Sequence, residues 1–433
     1  MPTNSQPNNF DSFCRAGKST PLISDKSTSI RVAKQKHSEW IWHALTIIFF
    51  ALSGVVFSLQ QIDFALAAKQ GLIIPDSINI TQTLDNKWVS GDIFSTEIEF
   101  LSIAVIYGWT WLIHPSICYL VNLALIALSI RKFKQLAIYQ LGAPAWSILG
   151  IVLNPYLILA MPGPNKEIPL LLLTIWLCSL LTNRNRGWLI GSTALCIPTY
   201  FLRDGYGAFL LLCTCVIWLL GRKVRFFSIV TCTALTGAAA LFGTLSSVIP
   251  TMSRNVEIYE STFATQVATG AVAASLNLDP LSFFGGITLF GFRLLYNLLS
   301  LAIFPVISTS GGGIYWIGLS YWISGLIILA TISSSAINQI IGYSNHKTLY
   351  LLSGLVVSTW FMVSVSLFVQ PRYLMPVFPI AFLILSTISK KLRNLCIGST
   401  LVISLSVVFM NTVLGRLPTS SSIEEFTVPA YIW

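Results

Sequence analysis

Along the chain, apolar runs of about 15–25 residues alternate with short polar joints, the pattern of helices that cross a bilayer rather than of alternating strands. The first run, Trp40–Leu59, has about 20 residues, enough to cross once. Residues 1–39 before it are rich in Ser, Asn, Lys and Arg and predict a disordered cytoplasmic tail. After a polar loop at 60–99, Phe100–Ile130 is long for one helix and is interrupted at Pro115. It is either one kinked span or a short re-entrant piece followed by a span. A third run ends near Met161, and Ile168–Thr182, Gly187–Leu202, Tyr206–Leu220 and Phe226–Ile249 follow. Beyond a second polar loop at 250–282 come Phe283–Ile307, Ile314–Ile332, Thr348–Val369, Tyr373–Ser389 and Leu395–Leu414, then a short tail at 415–433. The pattern predicts one all-α domain over 40–414, a bundle of about 11 transmembrane helices (range about 10–13). No internal repeat and no separate soluble domain stands out.

Charge placement orients this bundle. The clusters Arg131/Lys132/Lys134, Arg184/Arg186, Arg222/Lys223/Arg225 and Lys390/Lys391/Arg393 fall on one set of joints, which the positive-inside rule places in the cytoplasm. The 60–99 loop carries Asp63, Asp76, Asp85, Asp92, Glu97 and Glu99 against Lys69 and Lys87, which suits the outside. Were every run after residue 282 to cross, the last basic cluster would face the wrong way. Phe283–Ile307, with Arg293 and several glycines, is therefore expected to be a re-entrant or interfacial helix. Composition agrees: 54% of residues are hydrophobic and 10% charged, which excludes an ordinary soluble domain. The net charge of +10 resides in the joints, not on a basic face, so nucleic acid is not expected as a partner. The cysteines sit mostly inside apolar runs and are expected to be buried small residues, with Cys213 and Cys215 pointing in different directions. Trp40, Trp42, Trp88, Trp109 and Trp111 suggest an interfacial aromatic belt, and His114 a packed or interface histidine.

On this topology three span ends meet on the outer face, each a cation beside an anion or an aromatic residue and flanked by Pro or Gly. They are Pro164-Asn165-Lys166-Glu167, Arg203-Asp204-Gly205-Tyr206 and Pro371-Arg372-Tyr373. Arginine's planar fork suits phosphate, and a nearby carboxylate can take a proton from a sugar hydroxyl. Such a set suits glycan transfer from a lipid diphosphate, with Lys166, Arg203 and Arg372 on the diphosphate and Glu167 or Asp204 on the acceptor. Simpler roles stand beside this one. Span-end cations snorkel to headgroups, Glu167 favours a helix start through the dipole, Arg203-Asp204 forms a surface ion pair, and Pro371 starts a helix. Glu97-Ile98-Glu99 is a weak candidate for a divalent cation, the one cofactor the sequence suggests. Arg293 is expected either to pair with an acid such as Asp279 or Glu260 or to reach a phosphate.

Asn154-Pro155-Tyr156 followed by Asn165-Lys166-Glu167 resembles the N-P-Y…N-K-E stretch of bacterial membrane proteins from polysaccharide loci. Arg372-Tyr373-Leu374-Met375-Pro376 is similar to the R-Y-x-x-P stretch of membrane glycosyltransferases and O-antigen-polymerase-like proteins. The resemblance implies an enzyme acting on polyprenyl-diphosphate-linked sugars at the outer face of a bacterial inner membrane, with other polysaccharide-assembly proteins as partners. Arg254 and Arg293 match that family's use of arginines in outside loops, whereas its longer arginine–glycine loop motifs are absent. A flippase for the lipid-linked sugar and a non-catalytic assembly partner remain the alternatives.

Overall fold

A computed structural model describes residues 24–62, 80–82, 84, 102–111, 113–114, 116–152, 154–221, 223–247, 278–279, 281–303, 316–341, 347–365 and 371–413. The protein is all-α, with no strand among the described residues. Its main helices are α1 (Ser24–Ile62), α2 (Ile117–Lys134), the short α3 (Pro155–Ala160), α4 (Glu167–Asn183), α5 (Trp188–Leu202) and α6 (Asp204–Leu220). They continue as α7 (Phe227–Ala240), α8 (Phe283–Ile303), α9 (Trp316–Ile341), α10 (Lys347–Val365), α11 (Phe378–Thr387) and α12 (Lys390–Val413). By length and composition two described helices, Glu39–Ile62 and Lys347–Val365, are long and apolar enough to cross a membrane. Seven further apolar helices, such as Glu167–Asn183 and Trp188–Leu202, are shorter. At 15 residues, α5 reaches about 22 Å against the roughly 30 Å of a hydrocarbon core.

Helix α4 lies in the interior of the bundle. Its sequence is apolar on every side, and from Glu167 through Leu181 most of its residues are buried. Such a helix belongs in an interior. It packs against α2, α5 and the 3-10 segment Pro371–Val377. Close approach is set by glycines: a Cβ on Gly207 of α6 would lie 2.3 Å from the Tyr200 Cα of α5, so α5 and α6 touch backbone to backbone. Gly354 of α10 likewise seats the Phe227 ring of α7.

Three helices expose broad apolar faces and bury some of their polar groups. On α1, Ile47, Leu52, Val55 and Leu59 are exposed while buried Ser53 meets the Tyr119 hydroxyl at 3.1 Å. On α12, Leu395, Val402, Leu405 and Phe409 are exposed while Ser404, fully buried, accepts the Trp322 Nε1–H. On α8, Phe283, Phe284 and Leu295 are exposed while Arg293 and Asn297 are buried. This is the reverse of a water-soluble surface, which rarely leaves apolar faces of that extent uncovered.

Several expectations need correcting. The third apolar run is not one helix: a 3-10 turn at Ala145–Ile148, one turn at Leu149–Val152 and α3 follow one another, separated at Asn154. Asn154 precedes Pro155, whose ring excludes the helical region, and sits at φ −85°, ψ 96°. The Phe100–Ile130 run divides into a short helical piece with a π-helical turn at Ala104–Gly108 and then α2, with Ile113 and His114 outside either helix. Helix α1 begins at Ser24, inside the stretch expected to be disordered. Trp42 is buried against the Phe133 ring instead of joining a belt, and Cys215 is exposed. Trp40, Trp109 and His114 are exposed.

Candidate functional site

The sequence Met161-Pro162-Gly163-Pro164 cannot form a helix, and its two prolines donate no hydrogen bonds. The carbonyls around this corner must therefore find donors elsewhere. Two asparagines supply them. Asn165 Nδ2 donates to the Ala160 and Gly163 carbonyls at 2.8 and 2.9 Å. Asn122, from α2, donates to Met161 and Gly163 at 2.9 and 2.8 Å. Asn122 is itself fixed by the Tyr107 hydroxyl, which donates to its Oδ1 at 2.7 Å. Asn165 Oδ1 accepts the Ile168 N–H at 2.9 Å and so caps α4. Both asparagines are fully buried, so each bond is made away from water and the corner is a rigid frame for the residue that follows.

That residue is Glu167, 1% exposed at the first position of α4. Its Oε1 lies 3.2 Å from Arg203 Nη2. Arg203 occupies the extended link between α5 and α6, at φ −159°, ψ 97°, and its side chain is 14% exposed. The guanidinium carbon stands 4.6 Å from the centre of the Tyr373 ring, a cation–π contact that orients the fork. Tyr373 arrives on the 3-10 segment packed beside α4. One residue from each of the three predicted span ends thus meets at a single point. The short piece before α2 closes the same end, with Ser102 Oγ donating to the Phe201 carbonyl at 2.9 Å.

Two buried polar groups here stand without partners among the described residues. They are Glu167 Oε2 and both side-chain atoms of Asn154. Such groups are uncommon in finished interiors, and an ionised carboxylate oxygen is the costliest of them to leave without a donor.

The basic clusters lie at the far end. Helix α4, 17 residues and about 25 Å long, separates Glu167 from Arg184. There Arg184 Nη1 donates to the Gly221 carbonyl, Lys134 pairs with Glu39 at 3.7 Å, and Arg393 covers the Trp146 ring. Residues that the charge pattern assigns to one side therefore touch one another.

The remaining predicted residues are placed as follows. Lys166, half-buried, gives its carbonyl to the Leu170 N–H. Asp204 starts α6 and Arg372 lies in the Pro371–Val377 segment; their side chains are outside the described set. Arg254, Glu260, Glu97 and Glu99 lie outside the described residues. Arg293 does not pair with Asp279. It is buried on α8, and its Nε donates to the Ser364 carbonyl of α10 at 2.9 Å, while Asp279 accepts the Leu281 N–H ahead of α8. Asn297, one turn further on, donates to Ser364 Oγ at 2.6 Å. Among the described residues no group of three His, Cys, Asp or Glu side chains could hold a metal.

Sequence reasoning passed over Asn122 and Tyr107. The available signal was a lone amide within the apolar Ile117–Ser129 stretch, since a polar residue in such a run needs a partner. Chemically, the site offers one shielded carboxylate oxygen beside an oriented, part-exposed guanidinium. It can hold an anion and a hydrogen-bond donor side by side. Compared with known proteins, the chain matches no family model, no curated protein and no solved structure.

Proposed function

We propose that the protein is a polytopic membrane protein of about 11 spans that transfers or polymerises glycans in cell-surface polysaccharide synthesis. Its substrates are polyprenyl-(di)phosphate-linked sugars at the outer face of a bacterial inner membrane, and Glu167, Arg203 and Tyr373 form the centre of its site. The observation that carries this reading is their convergence: a buried acid, an arginine and an aromatic residue from three separate span ends meet at the bundle end opposite the basic clusters. The broad apolar faces exposed on α1, α8 and α12 support a bilayer as the solvent for the bundle. Lys166 and Arg372 are proposed to bind the same diphosphate, and Asp204 to act on the acceptor, as their places in the sequence suggest.

A second reading has its own support. The broken third run and the fully buried Glu167 are features of transporters, where interrupted helices line a substrate path. A flippase for the same lipid-linked sugar would use the site as a waypoint. Deletion of the gene separates the two. The enzyme reading expects single lipid-linked repeat units to accumulate on the outer leaflet; accumulation on the inner leaflet overturns it in favour of a flippase.

A further inference from the structure

Resting on the reading above, we infer that Glu167 and Arg203 divide one ligand between them. Arg203 takes the phosphate of a lipid-linked glycosyl phosphate, and Glu167 Oε2 accepts a hydrogen bond from a hydroxyl of the first sugar. Glu167 is 1% exposed, and its Oε2 has no hydrogen-bond partner among the described residues. A carboxylate oxygen kept from water calls for a donor. The adjacent main chain supplies none: the Ile168 N–H is held by Asn165, residue 169 is proline, and the Leu170 N–H goes to the Lys166 carbonyl. We assign the donor to a ligand, and its charge is constrained. An anion would face the carboxylate, and a cation would crowd the Arg203 guanidinium 3.2 Å from Oε1. A neutral hydroxyl satisfies both.

Arg203 makes the matching half of the site. One nitrogen holds Glu167 and one face lies over Tyr373, yet the side chain keeps 14% exposure. That open part is where a phosphate reaches the fork. A ligand bearing a phosphate and a hydroxyl on neighbouring groups, as a glycosyl phosphate does, satisfies both partners at once. Tyr373 acts here as a positioning residue that fixes the guanidinium plane.

The test uses the full-length protein in lipid nanodiscs. Its probes are bare polyprenyl diphosphate, the same carrier bearing one hexose, and a set of carriers bearing monodeoxy hexoses, with dissociation constants measured for each. Wild-type protein is expected to bind the hexose carrier about tenfold tighter than the bare one, and one monodeoxy member should lose that advantage. Glu167→Gln should shrink the ratio of the two affinities, whatever change it makes to binding of the bare carrier. Arg203→Lys should weaken both carriers by a similar factor. Equal binding of bare and hexose carriers by the wild type overturns the inference, as does an equal shift of both carriers in Glu167→Gln, which would make Glu167 a counter-ion alone. Should Glu167→Gln fail to fold, the monodeoxy set on wild-type protein decides by itself. If the wild type binds neither carrier, the proposed function falls, and the inference with it.

Discussion

Glu167 and Arg203, 36 residues apart, meet at 3.2 Å with the acid 1% and the base 14% exposed. Coulomb attraction is strong at such depth, but so is the cost of either charge left alone. Arg203→Ala is therefore expected to destabilise the protein by about 3–5 kcal/mol, because it strands Glu167 without its cation. Arg203→Lys should retain much of the stability, and the neutral double variant Glu167→Gln/Arg203→Met should recover most of what the single change loses. Thermal unfolding in detergent measures all three. A melting curve for Arg203→Ala that overlays the wild type would show that the pair does not hold the fold. Because the single variant perturbs folding, loss of polymer in Arg203→Ala alone would not assign the residue a role in chemistry.

The corner itself is the second point of leverage. Asn122 and Asn165 both donate to the Gly163 carbonyl, and each holds a second carbonyl as well. Asn165→Ala also removes the acceptor of the Ile168 N–H, so it should cost about 1–3 kcal/mol. Asn122→Leu leaves the Tyr107 hydroxyl facing an apolar group and should cost a similar amount. Since the two side chains share one acceptor, their effects should not add. A double-mutant cycle on unfolding temperature is expected to give a coupling of about 0.5–3 kcal/mol, and strict additivity would show that the two asparagines act apart.

How much of this is legible in the sequence differs from place to place. Helices α4, α5 and α6 follow their apolar runs closely, because Arg184, Gly187, Arg203 and Gly221 interrupt the pattern where the chain turns. The breaks inside the third run are not legible: an apolar run gives no sign of where its backbone leaves the helix, apart from Pro155. The meeting of Glu167, Arg203 and Tyr373 is partly legible, since charge alternation puts all three span ends on one side. Who touches whom is not. Asn122 reaches across 41 residues to a main-chain carbonyl, and Arg293 donates to the carbonyl of Ser364. Backbone acceptors carry no residue identity, so no side-chain pattern can announce them.

Gly207 and Gly237 make a paired test of packing. A Cβ on Gly207 would fall 2.3 Å from the Tyr200 Cα and 2.4 Å from its nitrogen, and neither backbone atom can step aside alone. Gly207→Ala must push α5 and α6 apart at the link that carries Arg203, and it is expected to cost about 1–3 kcal/mol or more. A methyl added at Gly237, on the exposed side of α7, would meet nothing within 4 Å, so Gly237→Ala should be tolerated. Comparing their yields and unfolding temperatures checks the contact. Equal behaviour of the two variants would mean that α5 and α6 do not pack as closely as described.

The sidedness of the corner decides the functional proposal. Asn165 is fully buried and useless as a labelling position, whereas Lys166 is half-buried and Arg186, about 25 Å away past the other end of α4, is exposed. With Cys14 and the exposed Cys215 replaced by serine, Lys166→Cys should react with a membrane-impermeant maleimide in intact spheroplasts. Arg186→Cys should react only after the membrane is opened. This contrast follows from the basic clusters: Arg184, Lys134 and Arg393 make their contacts at the Arg186 end, and the energetics of insertion keep such clusters in the cytoplasm. Should the two positions label the other way round, Glu167 and Arg203 would face the cytoplasm. A site for sugars already carried to the outer leaflet could not then reside at this corner.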